Sequence, residues 1–204
     1  MTMWQAAAKR AIDIAVSSVA LALLSPLMTL IAIAIRLDSP GSVLFRQQRL
    51  ARGGMAFGLY KFRTMIVDAP DIRNADGSTF NSLADARVTG AGRFLRRTSL
   101  DELPQLFNVL IGEMSLVGPR PDQVDQARFY TDAEWGRSTV KPGITGLAQI
   151  NGRNAIRWAE RTQMDLEYVR NQSLLLDLRI LWQTIPYVLA SQDIYINEVS
   201  EDVR

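Results

Sequence analysis

The 204-residue sequence contains neither cysteine nor histidine. Without cysteine there is no disulfide framework, no thiolate nucleophile and no cysteine-ligated zinc, and nothing points to an oxidising compartment. Without histidine the commonest general base and the commonest transition-metal ligand are missing as well. Polar catalysis must then rest on carboxylates, Lys, Tyr, Ser or Thr, and any metal is expected to be a hard, oxygen-bound ion such as Mg²⁺. Net charge is scarce too. Twenty-three basic and 21 acidic residues leave +2, too little for bulk electrostatics to suggest nucleic acid as a partner.

What the chain has in quantity is apolar surface. Hydrophobic residues make up 48% and charged residues 22%, enough for one domain with a real core. Between Lys9-Arg10 and Arg36, the stretch Ala11 to Ile35 is apolar apart from Asp13, a few Ser and Thr, and Ser25-Pro26. As one helix it reaches about 37 Å, enough to cross a hydrocarbon core of about 30 Å. No small-residue cleavage site follows, so the segment is expected to stay attached rather than leave as a signal peptide.

Pro26 cannot donate to the Ala22 carbonyl and crowds that turn, while Ser25 can offer its hydroxyl to the freed backbone, so a sharp bend is predicted. Bent there, the arms reach about 21 Å and about 14 Å, so neither spans alone and both ends return to one face. Lys9 and Arg10 before the run, and Arg36, Arg46 and Arg49 after it, suit a re-entrant hairpin with both ends cytoplasmic. A kinked span fits these residues equally well.

Beyond the run, Val43 to Tyr60 predicts two short strands joined by the Arg52-Gly53-Gly54 turn. Asp68 to Asp85 reads as a surface loop. Helices are expected over Leu103–Leu110, ended by Gly112, and over Gln123–Trp135 and Ile156–Asn171. Leu174–Leu189, with Asp177, Arg179, Gln183 and Pro186, reads as an amphipathic helix on a membrane surface or a core. The fold class is therefore mainly α with a small β-hairpin, an α+β arrangement.

Chemistry concentrates in Arg96-Arg97-Thr98-Ser99-Leu100-Asp101-Glu102-Leu103-Pro104, where two carboxylates adjoin two arginines. Ser99 and Glu102 match a capping box, a purely structural use of both side chains. Pro104 favours another frame with Asp101 as the N-cap, where the proline sits in the first turn and no hydrogen bond is lost. An ionised carboxylate there could bind Mg²⁺ or attack phosphorus, with Arg96 or Arg97 on phosphate oxygens. Lys61 and Arg63, in KFRTM, are either phosphate contacts or ordinary solvated charges. Arg120 stands on a rigid Pro119-Arg120-Pro121 loop, which lowers the ordering cost of gripping an anion such as a diphosphate. Asp165 and Tyr168 share a helix face, a spacing that packing also produces. The glycines of Gly143 to Gly152 allow a close backbone approach to a ligand but are a weak signal.

Taken in order, Lys9-Arg10 with Asp13, the Ser25-Pro26 pair, KFRTM, RRTSLDELPQLFNVL, MSLVGPRP, KPGITGLAQINGR and DLEYV resemble the bacterial sugar transferase family, the monotopic phosphoglycosyl transferases, from about Ala8 to Ser191. The resemblance implies that Ser25-Pro26 breaks a re-entrant helix, leaving residues 1–38 in one leaflet and 39–204 as a catalytic domain with membrane-surface helices at the cytoplasmic face of the bacterial inner membrane. It implies Asp101 as the nucleophile on the β-phosphate of a UDP-sugar, release of UMP, and transfer of the phosphosugar to undecaprenyl phosphate. Asp101 and Glu102 would hold Mg²⁺, Arg96 and Arg120 would contact phosphate, Pro119 and Arg120 would border the uridine, and Asp165 would be a supporting acid. The stretch from INGRNAIRW to DLEYVRNQSLLLDLRIL is most similar to small members that transfer diacetamido-trideoxy sugars such as N,N′-diacetylbacillosamine. The chain resembles the minimal catalytic unit, without the extra membrane domain of larger members. Two rival expectations are the same transfer with another sugar, such as an N-acetylhexosamine or galactose, and a catalytically silent adaptor whose basic patches hold anionic lipid.

Overall fold

In the computed structural model, which describes residues 1–72, 80, 82, 84–152 and 156–189, the apolar run forms one helix, α1, over Met3–Asp38. Thr2 and Gln5 close a capping box at its start. The helix keeps its helical backbone through Pro26, where the sequence suggests a sharp bend between two arms. Ser25 supplies the local remedy, because its hydroxyl donates to the Ala22 carbonyl at 2.8 Å, the acceptor that the proline leaves without a partner. Only 11% of the most apolar 18-residue window is buried, which separates α1 from the core helix of a soluble protein. Val19, Leu23, Leu30 and Leu37 are among its exposed residues.

Both ends of α1 dock on the rest of the chain. Near its start Lys9 donates to the Val117 carbonyl at 3.0 Å and to Asp177 at 2.6 Å, and Arg10 donates to the carbonyls of Val109 and Leu110. The buried Asp13 accepts from Ser115 Oγ and the Leu116 amide. At the other end Ile31 and Ile35 pack against Phe62 and Leu95, and Asp38 accepts from the Ala91 amide at 3.0 Å.

The expected hairpin is present as β1 (Leu44–Leu50) and β2 (Ala56–Phe62), antiparallel from Leu44↔Phe62 to Leu50↔Ala56, and Gly53 supplies the positive φ of 74° in its turn. Period-two alternation points Phe57 and Leu59 of β2 into the main core with Leu106 and Val109, and carries Lys61 along the same side. A nine-residue helix that the sequence reading missed, α2 (Gly90–Thr98), is N-capped by Thr89. Helix α3 (Gln105–Ile111) ends on left-handed Gly112, as its glycine predicts. Its buried Asn108 accepts from the Tyr60 amide and donates to the Gly58 carbonyl, so α3 is stitched to the free edge of β2.

Two three-residue strands, β3 (Ser115–Val117) and β4 (Gly143–Thr145), pair in parallel on either side of the Pro-Arg-Pro loop, and neither was expected. The helix expected over Gln123–Trp135 is instead two 3-10 stretches, Val124–Phe129 and Glu134–Thr139. Thr131 and Glu134 bond reciprocally between them, and this local cap interrupts any continuous helix. The last two helices follow expectation as α4 (Trp158–Asn171) and α5 (Leu174–Leu189), the latter with Pro186 inside it. Half of the predicted Asp68–Asp85 loop, together with residues 153–155 and 190–204, lies outside the described residues.

Candidate active site

The carboxylate pair is set by a change of direction. Helix α2 ends at Thr98, Ser99 turns the chain in the left-handed region with φ of 57°, and Leu100–Glu102 forms a single 3-10 turn. Pro104, which has no amide hydrogen to give, is the residue from which α3 starts. Neither capping scheme read from the sequence is realised. Ser99 makes no side-chain cap, and Asp101 precedes the helix by a full turn instead of capping it, because the proline defers the helix start. Both carboxylates are thereby left for other partners.

Glu102 takes cations. Its Oε1 accepts from Lys61 Nζ at 2.9 Å and from Arg120 Nη2 at 2.6 Å. Burial opposes its ionisation, but Arg120 and Lys61 more than offset this and hold the carboxyl well below the ordinary range. Asp101 is half-buried, and among the described residues no donor binds its carboxylate. Burial, reinforced by the negative charge of Glu102, pushes it up to about 6 against the pull of Lys61, Arg96 and Arg120. At neutral pH it is an ionised, unengaged carboxylate facing three cations.

The structure gathers most of the residues singled out by sequence. Lys61 arrives from β2 and Arg120 from the proline loop, while Arg96 at the end of α2 is steadied by Thr64 Oγ1 at 2.9 Å. Pro119 and Arg120 border a small cleft with Leu50, Tyr130, Arg137 and Val140. Arg63 is placed elsewhere, contrary to the expectation of a phosphate contact. Its guanidinium is buried and donates to the Ser39 carbonyl and hydroxyl and to the Ser42 carbonyl, fastening the exit of α1. Asp165 does not reach the dyad either; it is fully buried in an ion pair with Arg137. Ser25 and Pro26 remain on α1. Sequence reasoning missed Asp122 and Arg137, two ordinary charges until the fold buries them together.

Asp101 and Glu102 suit a hard cation only in part by themselves, since no group of three or more acidic side chains that could hold a metal occurs among the described residues. Mg²⁺ needs no more, because it binds one or two carboxylates and completes its octahedron with water and substrate phosphate oxygens. The donor set therefore fits an ion that arrives with a diphosphate, with Asp101 as the open protein ligand.

A model of the bacterial sugar transferase family matches residues 4–191. The chain belongs to the bacterial sugar transferase family. This sugar transferase is 43% identical over 206 residues to the undecaprenyl-phosphate glucose phosphotransferase of Komagataeibacter xylinus, a match that covers 96% of the chain and 38% of that longer protein. It is 42% identical over 197 residues to the UDP-glucose:undecaprenyl-phosphate glucose-1-phosphate transferase of Caulobacter vibrioides, covering 92% of the chain and 72% of the relative. It is also 42% identical over 199 residues to the exopolysaccharide production protein ExoY of Rhizobium meliloti, covering 92% and 88%.

Proposed function

We propose that this sugar transferase moves a sugar 1-phosphate from a UDP-sugar to undecaprenyl phosphate through a phosphosugar ester on Asp101. The observation that carries the reading is the unengaged Asp101 carboxylate among Lys61, Arg96 and Arg120. An Asp101 oxygen attacks the β-phosphorus, the bond to the bridging oxygen breaks, and UMP leaves with that oxygen. An oxygen of the polyprenyl phosphate then attacks the same phosphorus, the bond to Asp101 breaks, and the product is a polyprenyl diphosphate sugar. A carboxylate needs no base at neutral pH, which suits a chain without histidine. Arg96, Lys61 and Arg120 stabilise the charge on the phosphoryl oxygens, and Arg120 with Pro119 borders the nucleoside. Mg²⁺ held by Asp101 and Glu102 would offset the diphosphate charge.

UDP-glucose is the first donor to test, because two of the relatives above carry glucose in their names. UDP-N,N′-diacetylbacillosamine is the second, on the strength of the sequence from INGRNAIRW onward. Detergent-solubilised protein with Mg²⁺ and each donor should release UMP, in turnover that depends on undecaprenyl phosphate, and Asp101→Asn should abolish it. Turnover retained in Asp101→Asn sinks the mechanism.

The same reading puts α1 into the cytoplasmic leaflet of the inner membrane as a re-entrant element that bends at Ser25-Pro26 while keeping its helical backbone. A helix whose two ends dock on one folded body keeps both ends on the same side of a bilayer. A cysteine placed at position 1 should label from the cytoplasmic side of sealed vesicles. Labelling from the periplasmic side rules this topology out.

A further inference from the structure

The most heavily knit polar cluster of the described residues lies behind the Pro-Arg-Pro loop. Arg137, Asp122 and Asp165 are 4%, 5% and 0% exposed. Arg137 binds both acids, and its Nη2 also donates to the Arg120 carbonyl at 3.1 Å. Tyr130 donates its hydroxyl to Asp122, and Arg161 reaches the other Asp122 oxygen at 3.3 Å.

The loop itself is held at every carbonyl. Pro119 accepts from the Gly143 amide at 2.9 Å, Arg120 from Arg137, Pro121 from Arg49 at 3.3 Å, and Asp122 from the Leu50 amide at 2.9 Å. Buried ion pairs seldom add net stability, and here Asp165 Oδ1 is buried without a hydrogen-bond partner. An apolar core would serve stability as well, so the return on this cluster lies in geometry. Arg120 is the one residue of the four whose side chain leaves the loop for the carboxylate dyad.

We infer that Arg137, held by Asp122 and Asp165, is a positioning residue for Arg120: it fixes the backbone from which the Arg120 guanidinium reaches Glu102 and the donor's phosphates. The inference rests on the phosphoryl-transfer reading of the site and adds residues that do not touch substrate. Lysine cannot replace Arg137, because one ammonium cannot serve two carboxylates and a carbonyl in the directions that a planar guanidinium covers.

The test is a double-variant cycle on UMP release at saturating donor and acceptor, using Asp165→Asn, Arg120→Ala and the combination, with Arg137→Lys as the second route should Asp165→Asn fail to fold. Misplacing a catalytic group by about 1 Å costs up to about 100-fold. Asp165→Asn should therefore lower kcat by about 10-fold or more, and the combined variant should match Arg120→Ala alone. Losses that multiply would overturn the positioning role, as would unchanged kcat in an Asp165→Asn protein whose Tm has fallen. Full turnover by Arg120→Ala would overturn the reading of the site itself, whereas multiplying losses leave that reading intact.

Discussion

Asp101 and Glu102 are neighbours in the chain, yet the fold drives their carboxyls in opposite directions. Burial raises Asp101 to about 6, while Arg120 and Lys61 hold Glu102 well below the ordinary carboxylate range. One acid is thus locked in an ion-paired frame and the other is left with a destabilised negative charge. A group whose folded pKa is raised contributes stability that is full below its unfolded value near 4 and is lost as pH rises through about 6. Asp101→Asn should therefore abolish turnover and raise Tm at pH 7.5 by about 2–4 °C, the response to roughly 1 kcal/mol in a chain of this size. Thermal unfolding of the two proteins in the same detergent decides it, and a lower Tm in the variant would contradict this account of the site.

The same shift fixes the acid limb of the rate profile. If ionised Asp101 is the attacking group, as proposed, kcat/KM should rise about tenfold per pH unit below pH 6 and level off above pH 7. Glu102→Gln removes a negative neighbour and frees Lys61 and Arg120 to act on Asp101, so in whatever activity remains the limb should move to lower pH. A limb that stays put, or moves up, would place its origin in another group.

Much of this site could be read in the sequence because its elements are local. The proline at 104, the Pro-Arg-Pro loop and the glycine at 112 each dictate backbone in their own few residues, and the structure follows them. The hairpin was legible for the same reason. That Arg63 and Asp165 lie away from the dyad could not be read locally, because their partners, Ser39, Ser42 and Arg137, are distant in the chain. Asp101 was misplaced by one turn. Pro104 does begin α3, but the left-handed Ser99 inserts a 3-10 turn that no propensity announces. The parallel pair β3 and β4 was invisible for want of length, since three residues carry no period.

Gly92 supplies a test of how tightly Arg96 is placed. A methyl added there would stand 2.0 Å from the Thr64 carbonyl oxygen, a backbone atom that cannot swing aside. Thr64 also steadies Arg96 through its hydroxyl. Gly92→Ala should therefore push α2 off the Thr64 backbone, lowering stability by about 1–3 kcal/mol as overpacking does and cutting turnover by more than tenfold. Gly53→Ala is the control at the far end of the hairpin, since no atom lies within 4 Å of the added methyl, and its φ of 74° limits the cost to local strain. Equal turnover losses in the two variants would remove any special role for the contact between α2 and Thr64.

Lys9 in the second turn of α1 and Asp177 in the first turn of α5 meet across 168 positions of sequence, at 2.6 Å, with side chains 12% and 8% exposed. Asp177 also accepts the Tyr168 hydroxyl at 2.7 Å, and Lys9 donates to the Val117 carbonyl, so both charges are fully engaged. Removing one partner leaves the other charge buried with only a neutral hydrogen-bond partner, a loss that approaches the roughly 3–5 kcal/mol of a broken buried pair, whereas replacing both with apolar residues of similar volume costs far less. Lys9→Met should lower Tm sharply, and the combination of Lys9→Met with Asp177→Leu should recover most of that loss in the same detergent. Because this pair is far in sequence from the dyad and touches none of its cations, kcat in the double variant should stay within about threefold of the parent protein. A double variant no more stable than Lys9→Met alone would mean that Asp177 is held in place by Tyr168 and not by the charge of Lys9.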